Sequence, residues 1–204
     1  KSALTITAAD GVDNRGGTIA ANATDLTLQG ARLDNAGGEV RHAGNGTLRV
    51  DAQTVDNNGG SLLGNGVIGV NAATLANRGG SISAQGALGI TSTGLLDNTD
   101  GLITGRDALT VTTRGNLDNS GGAIRGASAT AATRVQADGT LANASRNGVA
   151  AEINANATLT ITAGTLNNDN SRITTGQSLT ATTGARSNTG SAARVLAEND
   201  VTPD

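Results

Sequence analysis

One phrase recurs along this chain: an apolar residue, Asp-Asn, any residue, Gly-Gly, any residue, then a second apolar residue. It stands as Val12-Asp13-Asn14-Arg15-Gly16-Gly17-Thr18-Ile19, as Leu33-Asp34-Asn35-Ala36-Gly37-Gly38-Glu39-Val40, as Val55-Asp56-Asn57-Asn58-Gly59-Gly60-Ser61-Leu62 and as Leu117-Asp118-Asn119-Ser120-Gly121-Gly122-Ala123-Ile124. Looser copies start at Leu75, Leu96, Leu141 and Leu166, and a degraded one at Arg186, so successive starts lie 21, 22, 20, 21, 21, 24, 25 and 20 residues apart. An apolar-x-apolar phrase follows, as in Leu26-Thr27-Leu28, Leu48-Arg49-Val50, Leu88-Gly89-Ile90, Leu109-Thr110-Val111 and Leu159-Thr160-Ile161. A period this regular means a stack of like units rather than a globule around one centre. Leu4-Thr5-Ile6 reads as the second half of a further repeat, so the chain is expected to be about nine repeats of a longer array.

Each unit must be made of strands. Apolar and polar residues alternate at period two, β-branched residues abound, and Gly-Gly interrupts each well-formed repeat before a helix of ten residues could form. At roughly 3.3 Å per residue, 21 residues trace about 70 Å, enough for a three-sided coil; coils about 4.8 Å apart would build a rod about 40 Å long. The fold expected is an all-β, right-handed parallel β-helix. One coil carries too few aliphatic side chains to offset the entropy of ordering its backbone, so coils must fold on one another. The complete absence of Phe, Tyr, Trp and Met in 204 residues agrees with a core too narrow for rings at repeated positions. The same span is expected to behave as one domain: a shaft over 1–186, then a degenerate final coil and tail over 187–204.

Within the phrase, period two from Val12 turns Asp13 outward and Asn14 inward, where the glycines turn the corner. The same alignment gives Asn35, Asn57, Asn77, Asn98, Asn119, Asn143, Asn168 and Asn188, while the preceding Asp lapses to Ala76, Ala142, Asn167 and Ser187. An inward amide both donates and accepts, so stacked amides can bond one another and the corner backbone as a structural ladder. Gly16 and Gly17, Gly37 and Gly38, Gly59 and Gly60, Gly79 and Gly80, and Gly121 and Gly122 are the corner glycines; in later repeats Ser145-Arg146 and Asn170-Ser171 stand in their place. The outward Asp13, Asp34 and Asp56, and again Asp97 and Asp118, should stack in a row. Asx bonding to the turn backbone is the plain reading of that row, and a bridging calcium ion the alternative.

These phrases resemble the filamentous haemagglutinin repeats of large secreted exoproteins of Gram-negative bacteria, which are exported by two-partner secretion and include adhesins and the stalks of contact-dependent growth-inhibition toxins. The resemblance rests on the Leu-Asp-Asn-x-Gly-Gly-x-Ile and Leu-Thr-Val phrases and spans the chain apart from its tail. It implies a β-helical shaft, extracellular display, passage through an outer-membrane transporter, and a role in presenting a binding or toxic region to a receptor that the residues do not name. From the residues themselves, no catalytic, cofactor or metal residues are expected.

Other functions fare worse. With no cysteine, one histidine and one lysine, thiol chemistry, zinc-thiolate sites and a P-loop have no residues to work with. Gly64-Asn65-Gly66-Val67-Ile68-Gly69 has dinucleotide-binding spacing, yet it sits among repeat strands with no helix to follow. His42 aligns with Ala21, Gly64, Ala84, Gly105 and Gly126, just before an extra residue, and is expected on a solvated bulge. A polysaccharide-active β-helix would need aromatic platforms that are missing. An ice-binding face is suggested by Thr5-Ile6-Thr7, Thr110-Val111-Thr112 and Thr160-Ile161-Thr162, but Arg49, Gly69 and Arg134 break that face. A sequence pI near 5.1 without aromatics gives nucleic acid nothing to hold. No apolar run reaches the ~20 residues of a membrane helix, and no signal peptide opens the chain.

Overall fold

A computed structural model describes residues 2–198 and 200–203, the last four as backbone only. Among these residues no helix forms. Twenty-two strands alternate around the axis, and every pairing between them is parallel, each residue meeting its counterpart in the next coil: Leu26 with Leu48, Leu48 with Ile68, Ile68 with Leu88, Leu88 with Leu109. The chain is a parallel β-solenoid of about nine turns.

Each coil has three sides. The first carries the Leu-x-Val phrase, as in Leu88–Ser92 and Leu109–Thr113; the second carries the Leu-Asp pair, as in Leu96–Asp97 and Leu117–Asp118. The third follows the glycines, from Thr18–Ala21 through Ser81–Ala84 to Arg194–Ala197, as a separate nine-stranded sheet. In several coils the first two sides form one continuous bent strand, such as Thr47–Asp56 and Val67–Ala76, so they belong to a single 13-stranded sheet.

The period-two pattern explains what lies inside. A middle coil contributes four fully buried aliphatic side chains: Leu48 and Val50 from the first side, Val55 from the second and Leu62 from the third. The next coil repeats this with Ile68, Val70, Leu75 and Ile82, and later coils do so with Leu109, Val111, Leu117 and Ile124. The result is four aliphatic columns along the axis, one hydrophobic core shared by all the coils.

The bend between the first two sides varies from coil to coil in a way that the apolar phrases alone do not reveal. Ala52 precedes Val55, and Ala72 precedes Leu75, by three residues; Ser92 precedes Leu96, and Thr113 precedes Leu117, by four. In the latter two coils the extra residue splits the strand, whereas Thr133–Ala142, where Ala137 precedes Leu141 by four, stays continuous with a register shift. In the two split coils the inward alanine becomes a buried hydroxyl: Ser92 Oγ lies 2.8 Å from Thr113 Oγ1, both reach the Gly94 carbonyl, and the Gly115 N–H donates to Thr113 Oγ1. The hydroxyls satisfy backbone groups that the bulge removes from the ladder.

His42 departs from expectation. Its alignment holds, since Ala21, His42 and Gly64 are register partners, but the imidazole is fully buried rather than on a solvated bulge. The ring lies under the corner, Nε2 3.2 Å from the Ala23 carbonyl, in space kept open by Gly44, where any Cβ would press on Nε2 at 2.8 Å. The extra residue after His42 makes room for a ring inside the coil.

Candidate functional site: an amide ladder at the glycine corner

Where the second side turns into the third, nine asparagines line up along the axis. Asn35, Asn57, Asn77, Asn98, Asn119, Asn143 and Asn168 are completely buried and Asn14 nearly so, while Asn188 is exposed. Every Nδ2 donates to the Oδ1 of the asparagine in the following coil, and the eight bonds from Asn14 to Asn188 measure 2.6–2.7 Å. The second amide hydrogen faces two backbone carbonyls: Asn35 Nδ2 lies 3.2 Å from Gly38 O in its own turn and 3.1 Å from Ser61 O in the next coil. Asn77 does the same with Gly80 O and Leu102 O, both at 3.3 Å. Carbonyls only accept, so nitrogen must face them, and the orientation of each amide is fixed by its surroundings.

The two glycines have different jobs. Gly16, Gly37, Gly59, Gly79 and Gly121 take φ of +59 to +66°, a left-handed turn that most side chains avoid. Gly38, Gly60, Gly80 and Gly122 instead lack room: a Cβ at Gly38 would collide with the Asn14 carbonyl of the coil above, and at Gly60 with that of Asn35. In two coils where the first glycine is missing, Asp100 and Asn170 adopt the same left-handed turn, with φ of 55° and 51°.

In the coil after Asn143 the sequence pairing needs correction. Ser145 does hold the first glycine position, its N–H donating to Asp169 O as the Gly121 N–H donates to Ala144 O. The second position belongs to Ala151, not Arg146, because residues 146–150 form an inserted hairpin. Ser171 compensates for it. Gly60 and Gly122 donate their N–H to the carbonyl of their own ladder asparagine, whereas Ala151 donates to the buried Ser171 Oγ at 3.0 Å.

The aspartate row lies outside the corner, Asp13, Asp34 and Asp56 in register and Asp97 beside Asp118. Each Oδ1 accepts the N–H two residues on: Arg15 for Asp13, Ala36 for Asp34, Asn58 for Asp56, Thr99 for Asp97 and Ser120 for Asp118, at 2.9–3.3 Å. Asn167 replaces aspartate with the same bond to the Asp169 N–H at 2.9 Å. These are Asx turns. Arginines cover the row, Arg32 and Arg15 on Asp34 and Arg78 on Asp97. That leaves Asp34 and Asp97 only 4% exposed, a burial that outward periodicity does not foretell. The bonds from the Arg15 side chain and backbone hold Asp13 down at about 2. Burial works to raise Asp97, but Thr99 and Arg78 outweigh it and keep the carboxyl below its ordinary value.

An open groove of 620 Å3 runs along the first bend, lined by the adjacent columns Thr7, Gln29, Asp51 and Asn71 and Ala8, Gly30, Ala52 and Ala72. Its carboxylate is already engaged by Arg49 and by the Asn71 amide at 2.8 Å. Outward threonines do meet in register, Thr160 with Thr180 and Thr162 with Thr182, yet Arg134 and Gln136 adjoin them in the coil above. No group of three His, Cys, Asp or Glu among the described residues is placed to hold a metal ion, and no helix among them is long and apolar enough to cross a membrane. The repeated corner therefore dominates the chemistry of this chain, and what it supplies is cohesion along an axis.

A family model described as the haemagglutinin repeat matches residues 2–48, 43–121 and 127–202. No curated protein and no solved structure gives a significant match.

Proposed function

Because this chain belongs to the haemagglutinin-repeat family, a structural family, we propose that it is a shaft segment of a secreted or surface-displayed bacterial exoprotein, exported through an outer-membrane transporter. Its task is to hold a binding or toxic region away from the producing cell for contact with a host or neighbouring cell, with no catalysis of its own. Residues 1–186 and the final coil 187–204 act together as one domain in this reading. The observation that carries it is the family match over nearly the whole chain, joined to an asparagine ladder that runs from Asn14 to Asn188. A rod built this way gains length by adding coils, which suits a spacer and its display of other regions.

The test is export. The chain is placed between a two-partner secretion domain and an epitope tag in a Gram-negative host, with and without the matching transporter. Transporter-dependent appearance of the tag at the cell surface is the expected result. Retention inside the cell, with a control repeat region exported normally, overturns the reading.

A further inference from the structure

The hairpin at residues 146–150 departs from the packed corners around it. Arg146 and Val149 exchange both backbone hydrogen bonds, each 2.8 Å, around a left-handed Asn147-Gly148 pair with φ of 51° and 80°. This is the two-residue turn that Asn-Gly favours. Arg146 to Val149 are all exposed, Val149 by 55%. The hairpin leans back along the shaft: Arg146 Nε lies 3.3 Å from Asp100 Oδ2, two coils away, and Gly121 passes between them, where a Cβ would meet both the Asp100 carboxylate and Arg146 Cβ. Asp100 reaches this position from a left-handed turn that the neighbouring coils fill with glycine.

We propose that the Arg146–Asn147 peptide bond is a processing site for an arginine-specific, trypsin-like endopeptidase, gated by the ion pair between Arg146 and Asp100. Water adds across the bond from the Arg146 carbonyl carbon to the Asn147 nitrogen, leaving a carboxylate on Arg146 and an ammonium on Asn147. A protease takes its substrate as an extended segment, so it needs one that peels away cheaply. Peeling this hairpin breaks its two closing bonds and leaves the flanking strands paired: Thr133–Ala142 with Leu109–Thr113, Leu117–Asp118 and Leu159–Asn167, and Glu152–Ala155 with Ala123–Gly126 and Arg172–Thr175. Arg15 is the instructive contrast. Its side chain is 64% exposed against 43% for Arg146, but the residue after it is tied to the next coil through the Gly16 N–H to Ala36 O bond. The comparable tie beside Arg146, from the Ser145 N–H to Asp169 O, lies before the scissile bond, and Val149, after it, closes back on the hairpin itself. The gate works because the guanidinium that the protease must take into its specificity pocket is the group that Asp100 holds.

The intact chain is treated with dilute trypsin, and fragments are followed by mass spectrometry while native size is followed by gel filtration. The first cut is expected between Arg146 and Asn147, with fragments 1–146 and 147–204 eluting together until denaturant is added. R146Q removes that early cut. D100N keeps the left-handed turn, which asparagine tolerates, and cleaves about two- to fivefold faster, the range for an exposed ion pair. Added salt, with rates normalised to a small chromogenic substrate, screens the pair in the unaltered chain and also accelerates the cut. A first cut at any other arginine, or R146Q cleaved as fast as the parent, overturns the site. D100N and added salt both leaving the rate unchanged overturns the gate.

Discussion

The coils around Asn57 and Asn77 and those around Asn143 and Asn168 solve the same corner differently. The first pair use Gly59-Gly60 and Gly79-Gly80, with the left-handed turn and the missing Cβ both supplied by glycine. In the second pair Ser145 and Ala151 stand at the ends of an inserted hairpin, Asn170 supplies the left-handed turn, and Ser171 lends its hydroxyl to the Ala151 N–H. The amide–amide bond is nonetheless 2.6 Å from Asn57 and 2.7 Å from Asn143 and Asn168. The asparagine is therefore the fixed requirement of the corner, and glycine is one of several ways to meet it. At Asn143 the insertion leaves the ladder bond to the next coil in place, with the amide also 3.1 Å from Arg172 O, while Arg146 O closes the hairpin with the Val149 N–H.

The sharpest way to break this comparison is to remove the asparagine itself. Asn98→Ala strands the Asn77 amide hydrogen and the Asn119 carbonyl oxygen, both buried, and at about 1–3 kcal/mol for each orphaned group should cost roughly 2–6 kcal/mol in urea denaturation. Asn168→Ala should cost distinctly less, because its lower neighbour Asn188 is exposed and water can replace the lost partner. Equal losses would mean that burial does not set the strength of the ladder. The core follows the same gradient: Leu109→Ala in the middle should cost about 2–5 kcal/mol, whereas Val195→Ala in the last coil, already 37% exposed, should cost under about 1 kcal/mol.

Smaller changes separate the glycines from each other and from the aspartate row. Gly60→Ala drives a Cβ into the Asn35 carbonyl and should lose about 1–3 kcal/mol by overpacking. Asp97→Asn should cost about 1–2 kcal/mol at neutral pH by weakening the bonds from Arg78 and the Thr99 N–H. Because the folded-state value of Asp97 is lowered, its contribution is present above the ordinary aspartate value of about 3.9 and is lost as pH falls through the folded value, so parent and variant should converge in acid denaturation below about pH 4. The smallest effect is an exchange: Gly59→Asn should cost about 0.5 kcal/mol, and Asn170→Gly should gain a similar amount, since both change only the ease of a left-handed turn. Differences of that size call for paired melting curves.

The period of the apolar residues made the solenoid, its coil count and the inward direction of the asparagines legible, because each depends on spacing alone. What escaped depends on what fills the space beside a residue. His42 aligns with alanines and glycines, but the Gly44 and extra residue that admit its ring form no part of the repeated phrase. Asp34 and Asp97 point outward as the alternation requires, yet arginines cover them, Arg15 and Arg78 from the variable residue of the phrase one coil before and Arg32 from the same coil. The hairpin did leave a signal, Asn147-Gly148 inside the unusually long 25-residue spacing from Leu141 to Leu166. It is a turn dipeptide rather than a copy of the repeat, so an alignment of repeats passes over it.

The uniform direction of the amide bonds has a consequence for assembly. From Asn14 to Asn188 every donor points toward the C-terminal end and every acceptor toward the N-terminal end. The column is a polar wire, and its amide dipoles add instead of cancelling. Its two termini are chemically unlike, one offering oxygen and the other nitrogen. A coil added to such a stack finds a complementary partner in one orientation only, and two shafts meeting head to head would set like groups against each other. The same asparagine that binds neighbouring coils thus gives the rod an arrow, which discriminates against reversed stacking without any added surface charge.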